Sequence, residues 1–151
     1  MRTFKMLAVP AALGVAIALA GPAGADPSRA ELGATQELND GGVTIAYTVE
    51  ELEAADDTIT NAEVRGTLWE VSVEVEAVKG SVTPIIPFFN ARAADGTNYR
   101  PLYWAVGDEA LSGATLGQGQ KAEGNIYFDV TGPAPTRVIY SDGVTDRLCW
   151  H

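Results

Sequence analysis

An all-β domain, two antiparallel sheets packed as a β-sandwich, is what this sequence predicts, and three observations carry the expectation. Apolar and polar residues alternate with a period of two from Trp69 to Ala77, the mark of a strand with one face in a core and one in water. Short apolar runs recur along the chain, divided by turn chemistry such as Asn39-Asp40-Gly41-Gly42 and Ala94-Asp95-Gly96. No long helical period competes with them.

The first 25 of the 151 residues read as a secretory signal peptide. Arg2 and Lys5 make the start positive, and Met6 to Ala20 carries no charge. Gly21 and Pro22 end the apolar helix ahead of the small residues Ala23 and Ala25. Cleavage is expected between Ala25 and Asp26, which makes the product a secreted, extracellular protein. An uncleaved anchor is the alternative, because Met6 to Ala25 approaches a membrane-spanning length. Pro10, Gly14, Gly21, Pro22 and Gly24 interrupt that run, however. No cysteine lies near the cut to take a lipid, and no Arg-Arg pair marks the twin-arginine route.

Residues 26–151 are the length of one domain and enough to bury a core. All twenty acids but only eight of the ten basic residues lie beyond residue 25, so the mature net charge is −12 against −10 for the whole chain. Such a surface repels phosphate backbones and anionic lipid, which argues against a nucleic-acid partner and, after cleavage, a membrane one. Solubility outside the cell is the expected reason for the acidity, with a cationic partner as the alternative. Cys149 is the only cysteine, so no internal disulfide supports the fold. Burial is the expected state of Cys149 and a monomer the expected state of the chain; a Cys149-linked dimer is the alternative.

The strands follow in order. Asp26 to Gly33 is a polar, loose start, and Thr35 to Leu38 a short first strand. Val43 to Val49 is a strand with Val43, Ile45, Tyr47 and Val49 on one side. The acidic run Glu50, Glu51, Glu53, Asp56, Asp57 is expected as a solvated loop. Thr67 to Val78 is the clearest strand. Ser81 to Arg92 contains Pro84 and Pro87, which cannot donate to a ladder, so it is expected at an edge or broken. It forms a hairpin with Asn98 to Val106 through Ala94-Asp95-Gly96. Gly107 to Gln120 is a long loop pinned by Leu111 and Leu116. Gly124 to Val130 turns Ile126, Phe128 and Val130 inward. Arg137 to Tyr140 and Asp146 to Trp150 close a last hairpin around Ser141-Asp142-Gly143. Seven to nine short strands at these intervals suit a Greek-key sandwich.

Several local motifs also resemble one family. They are Gly80-Ser81-Val82-Thr83-Pro84, Phe89-Asn90-Ala91-Arg92, Asp95-Gly96, Asn98-Tyr99-Arg100, Ser112-Gly113-Ala114-Thr115 and Ile126 to Pro133. Together they are similar to the small secreted mycobacterial antigens called immunoprotective extracellular proteins. The resemblance is best from Gly66 to Pro135, and Cys149 stands outside it. It implies an immunoglobulin-like sandwich, secretion and no known enzymatic activity.

No feature of the sequence reads as an active site. The single histidine is the last residue, so no Ser-His-Asp or Cys-His frame can be built on it. No cofactor motif and no metal-ligand spacing is present. Asp56-Asp57 or Asp108-Glu109 could offer oxygens to calcium, but the twelve-residue calcium loop is missing and solvated loop acids are the simpler reading. A carboxylate-dependent hydrolase needs two acids across a cleft. The one candidate interaction surface is Asn90, Arg92, Asn98, Tyr99, Arg100, Tyr103 and Trp104, where the residue types of binding hot spots gather. Strand aromatics first serve a core, so buried rings there mean structure and exposed rings mean binding. The expected function is a secreted, non-enzymatic immunogenic protein that engages a host or cell-envelope protein. An envelope component without a specific ligand, or a small hydrolase, are the alternatives.

Overall fold

The computed structural model describes residues 26–151; the expected leader 1–25, with Ala25 of the cleavage site, lies outside the described residues, and Asp26 is the first of them. The chain runs through β1 (Ser28–Ala30), β2 (Thr35–Asp40), β3 (Val43–Ala54), β4 (Thr67–Lys79), β5 (Phe89–Ala93), β6 (Asn98–Tyr99), β7 (Lys121–Val130), β8 (Pro135–Ser141) and β9 (Asp146–Trp150). One 3-10 turn, Ile86–Phe88, precedes β5. Two sheets form, one ordered β1-β9-β8-β5-β6 and the other β2-β3-β4-β7. β4 lies beside β7 and β5 beside β8, so the chain crosses between sheets as a Greek-key sandwich does.

The alternation in β4 explains the packing. Val71, Val73, Val75 and Ala77 are fully buried, while Glu70, Ser72, Glu74 and Glu76 take the other face. Tyr47, Val49, Ile126 and Phe128 join them from the four-stranded sheet. Phe89, Ala91, Val138, Tyr140, Leu148 and Trp150 face them from the five-stranded sheet. Tyr47 meets Phe89 edge-on at 5.3 Å and Tyr140 at 4.8 Å, which ties the two layers. Burying a side chain of the size of Phe89 contributes about 1.5–3 kcal/mol. Trp150 is fully buried and its Nε1 donates to the Ala34 carbonyl at 2.9 Å. Cys149 is buried and unpaired, and burial pushes its thiol pKa up.

The structure corrects four local expectations. The supposedly loose start contains β1, which pairs in parallel with β9, so the sandwich is mostly rather than wholly antiparallel. The acidic run is not all loop: β3 continues through Glu50, Glu51 and Glu53 to Ala54, opposite Glu70 and Trp69. A bulge between Glu50 and Glu53, with Glu51 at φ 48°, lets the backbone keep its partner while the acids turn to water. Of the two expectations for Ser81 to Arg92 the broken one holds, since β5 starts only at Phe89 after an isolated bridge at Val82 and the 3-10 turn, but β5 is not an edge, because β8 and β6 flank it. Pro84 and Pro87 lie before the strand, where no ladder bond is needed. The second arm of the hairpin is only Asn98–Tyr99; at Pro101 the chain leaves to bridge Phe128 of the other sheet. Leu111 and Leu116 do pin the long loop, both being buried.

Candidate functional site

The seven candidate residues fall into three places. Tyr99 is buried, and its hydroxyl donates to the Pro133 carbonyl at 2.7 Å, so it belongs to the core and not to a surface. In-and-out parity explains this, since Tyr99 pairs with the inward Ala91. Asn90, Arg92, Asn98 and Arg100 point outward into a recess of about 320 Å³, walled also by Ser141 and Asp146. The Arg92 Nη1 donates to Asp146 at 2.7 Å, its Nε donates to Asn98 at 3.2 Å, and the Asn98 amide donates to Asn90 at 3.0 Å. Tyr103 and Trp104 lie past the crossing at Pro101. They are 60% and 50% exposed and meet edge-to-face at 4.9 Å.

Cross-strand register extends the recess into a cationic face. Arg137 sits directly opposite Arg92, and Arg29 opposite Cys149, all on the outward side of the five-stranded sheet. Arg147 shares that side and is held by Asp142 at 3.1 Å. Five of the six arginines beyond residue 25 therefore gather on or beside one face of an acidic protein. Between them lie the buried outward residues Ile139 and Cys149. The positive field of Arg29, Arg137 and Arg92 pulls the Cys149 thiol back down against the larger effect of burial.

The outer face of the four-stranded sheet is the opposite. Glu37, Glu50, Glu70, Glu74, Glu76 and Glu123 occupy outward positions with Lys121, which holds Glu74 at 3.2 Å and Glu76 at 3.6 Å. At one end, three carboxylates converge on the buried Asn125. Its Nδ2 donates to Asp57 at 3.3 Å, Glu70 at 3.3 Å and Glu109 at 3.5 Å. The Tyr127 hydroxyl donates to the same Asp57 oxygen at 2.7 Å, and that bond is the main reason the Asp57 pKa is lowered. Glu70 is driven the other way, up to about 7, first by burial and then by the Asp57 charge. Glu109 belongs to a strap over β7: the Asn125 amide donates to the Glu109 carbonyl at 2.6 Å, and the Leu111 amide to the Asn125 carbonyl at 2.9 Å.

One member of each calcium candidate pair, Asp57 and Glu109, thus reaches the same Asn125, which donates to one oxygen of each. No group of three or more His, Cys, Asp or Glu suited to a metal ion occurs among the described residues. A recess lined by Asn125 and Tyr127, but by none of the three acids, has about 20 Å³, room for no more than a water. The acid cluster was legible only as outward polar residues of β4 and β7; Asn125 and Tyr127 flank the inward Ile126, and donors at that parity opposite an acidic strand were the available signal.

Residues 27–150 match the family described as a domain of unknown function (DUF1942). The chain is 44% identical over 126 residues to the immunogenic protein MPT63 of Mycobacterium tuberculosis, covering 82% of this chain and 79% of that one. The same values hold for the immunogenic protein MPB63 of Mycobacterium bovis. The crystal structure of the secreted M. tuberculosis protein MPT63 superposes with a TM-score of 0.81 at 43% identity, over 84% of this chain and 98% of that one.

Proposed function

The chain belongs to this family of mycobacterial immunogenic proteins, and we propose that it is a secreted, non-enzymatic binding module for a protein on a host or cell-envelope surface. Export by the leader 1–25 is part of the reading. The exposed Tyr103–Trp104 pair is the observation that carries it. Two large rings held edge-to-face in water lose surface the fold has every reason to bury, and such residues dominate interface energetics. A hydrolase gains no support, because the three converging acids all accept from one side chain of the protein, Asn125, where a hydrolase needs two acids set across a cleft. The polarised charge of the two sheets also fits a specific partner better than a merely solubilising coat.

The test is retention of the labelled protein on intact host cells and on envelope fragments. Tyr103→Ala with Trp104→Ala should abolish retention and leave the melting temperature unchanged. Retention equal to that of the unchanged protein, or no retention above an unrelated acidic domain, would sink the reading.

A further inference from the structure

Eight cations serve twenty acids in the mature chain, so every cation has acids to choose from. Arg65, Arg92, Lys121 and Arg147 each take one within 4.0 Å. Among the described residues Arg29, Lys79, Arg100 and Arg137 take none. Three of those four belong to the outer side of the five-stranded sheet. Arg137 stands directly across from Arg92, a like-charge pair that weakens a sheet. Its Nε is buried without an acceptor, which leaves a charged donor unsatisfied. Glu74 opposite Glu123 on the acidic face is the forced result of an acid excess; an Arg–Arg pair in the same molecule is not.

We propose that this face, centred on Arg92, Arg100 and Arg137, docks a short acidic segment of a partner protein, carboxylate against guanidinium. The inference rests on the binding reading above and names the chemistry of the partner. A guanidinium presents a planar fork of N–H donors that matches a carboxylate two bonds at a time. Arg92 already holds one carboxylate, Asp146, through a single Nη1 bond, and the Asn90 and Asn98 amides lie beside it. The recess of about 320 Å³ suits a few side chains. Longer polyanions fit badly: a nucleic-acid strand or an anionic bilayer would extend beyond the arginines to the acids of a molecule carrying −12. A short acidic segment touches the arginines alone.

The probe is a hexaglutamate peptide titrated into the secreted protein at about 50 mM salt, where charge pairing is weakly screened. Binding is expected, with NMR shifts at Asn90, Asn98 and the arginine Nε groups. Arg100→Glu should weaken it about tenfold, by a like charge placed at the contact. Arg65→Glu, on an exposed arginine away from this face, should change it less than twofold. Arg100 is exposed, so its variant is expected to melt as the unchanged protein does. Arg29→Glu, also exposed, gives a second reading should Arg100→Glu fail to fold. Absence of peptide binding overturns the proposal. So does equal weakening by Arg65→Glu, or equally tight binding of inorganic phosphate or of phosphatidylglycerol vesicles. The two readings fail separately: Tyr103→Ala with Trp104→Ala removes surface retention while peptide binding persists, and loss of peptide binding leaves the aromatic pair to be judged by retention.

Discussion

The two outer faces of the sandwich rest on the same pleated geometry and meet water with opposite charge. On the four-stranded sheet, outward glutamates follow one another along β4, and a single lysine answers two of them. On the five-stranded sheet, the outward positions carry arginines, and Asp146 and Asp142 are the acids that pair with them. The acidic face resolves its crowding internally, through Asn125, Tyr127 and a raised Glu70 pKa. The cationic face leaves charges open. A surface selected only for solubility would mix both signs on both faces; here each face has its own chemistry, and only one retains unused donors.

The largest effect that would break this contrast comes from the strap over the acidic face. A Cβ at Gly124 would lie 2.6 Å from the Leu111 backbone nitrogen and Cα. Gly124→Ala should cost about 3 kcal/mol in denaturant unfolding, the scale of forced overpacking. It should also lower the Glu70 pKa slightly, because burial and the Asp57 charge raise it most and the strap adds only the smaller push of Glu109. An unchanged carboxyl titration by NMR would show that the strap does not contribute to it.

Deleting one carboxylate should then have opposite signs on the two faces. Asp146→Ala strips Arg92 of its ion pair at 2.7 Å, both partners being partly buried. It should destabilise by about 1.5 kcal/mol, the scale of a charge-assisted hydrogen bond lost from a half-buried site. Glu70→Gln should do the reverse. Its folded pKa of about 7 lies above the ordinary 4.5, so the folded protein holds a proton that the unfolded chain has released. Stability therefore falls as pH rises from 4.5 to about 7, and the full penalty stands above that range. The substitution should gain about 1 kcal/mol near pH 8, after discounting for solvent screening, and nothing near pH 4. Urea midpoints at the two pH values check both sign and window; a gain independent of pH would assign the effect to packing instead.

Much of the sandwich was legible because period-two alternation is a local property. Val71, Val73 and Val75 declare an inward face whatever lies opposite them, and the turn at Ala94-Asp95-Gly96 marks a reversal by its own chemistry. The acidic run misled for the converse reason. Charge is a fair guide to solvent exposure, and those glutamates are exposed, but a strand needs only its backbone partner, which β4 supplies from far along the sequence, Ser72 opposite Glu50 and Glu70 opposite Glu53. The candidate surface was half legible. Residue types drew attention to the stretch from Asn90 to Trp104, yet only inward parity removes Tyr99, and only the crossing at Pro101 separates the aromatic pair from the arginine recess.

By itself the sequence determined a two-layer β domain and an acidic chain whose single cysteine allows no internal disulfide. Each of these is set by composition or by neighbours a few residues apart. The tertiary structure decided where charge collects. Arg29, Arg92 and Arg137 are far apart along the chain and become neighbours only through the register of β1, β9, β8 and β5. A shift of one residue in any of those pairings would turn a strand's arginine into the core. Burial of the inward residues holds the register, and the register in turn assembles the cationic face.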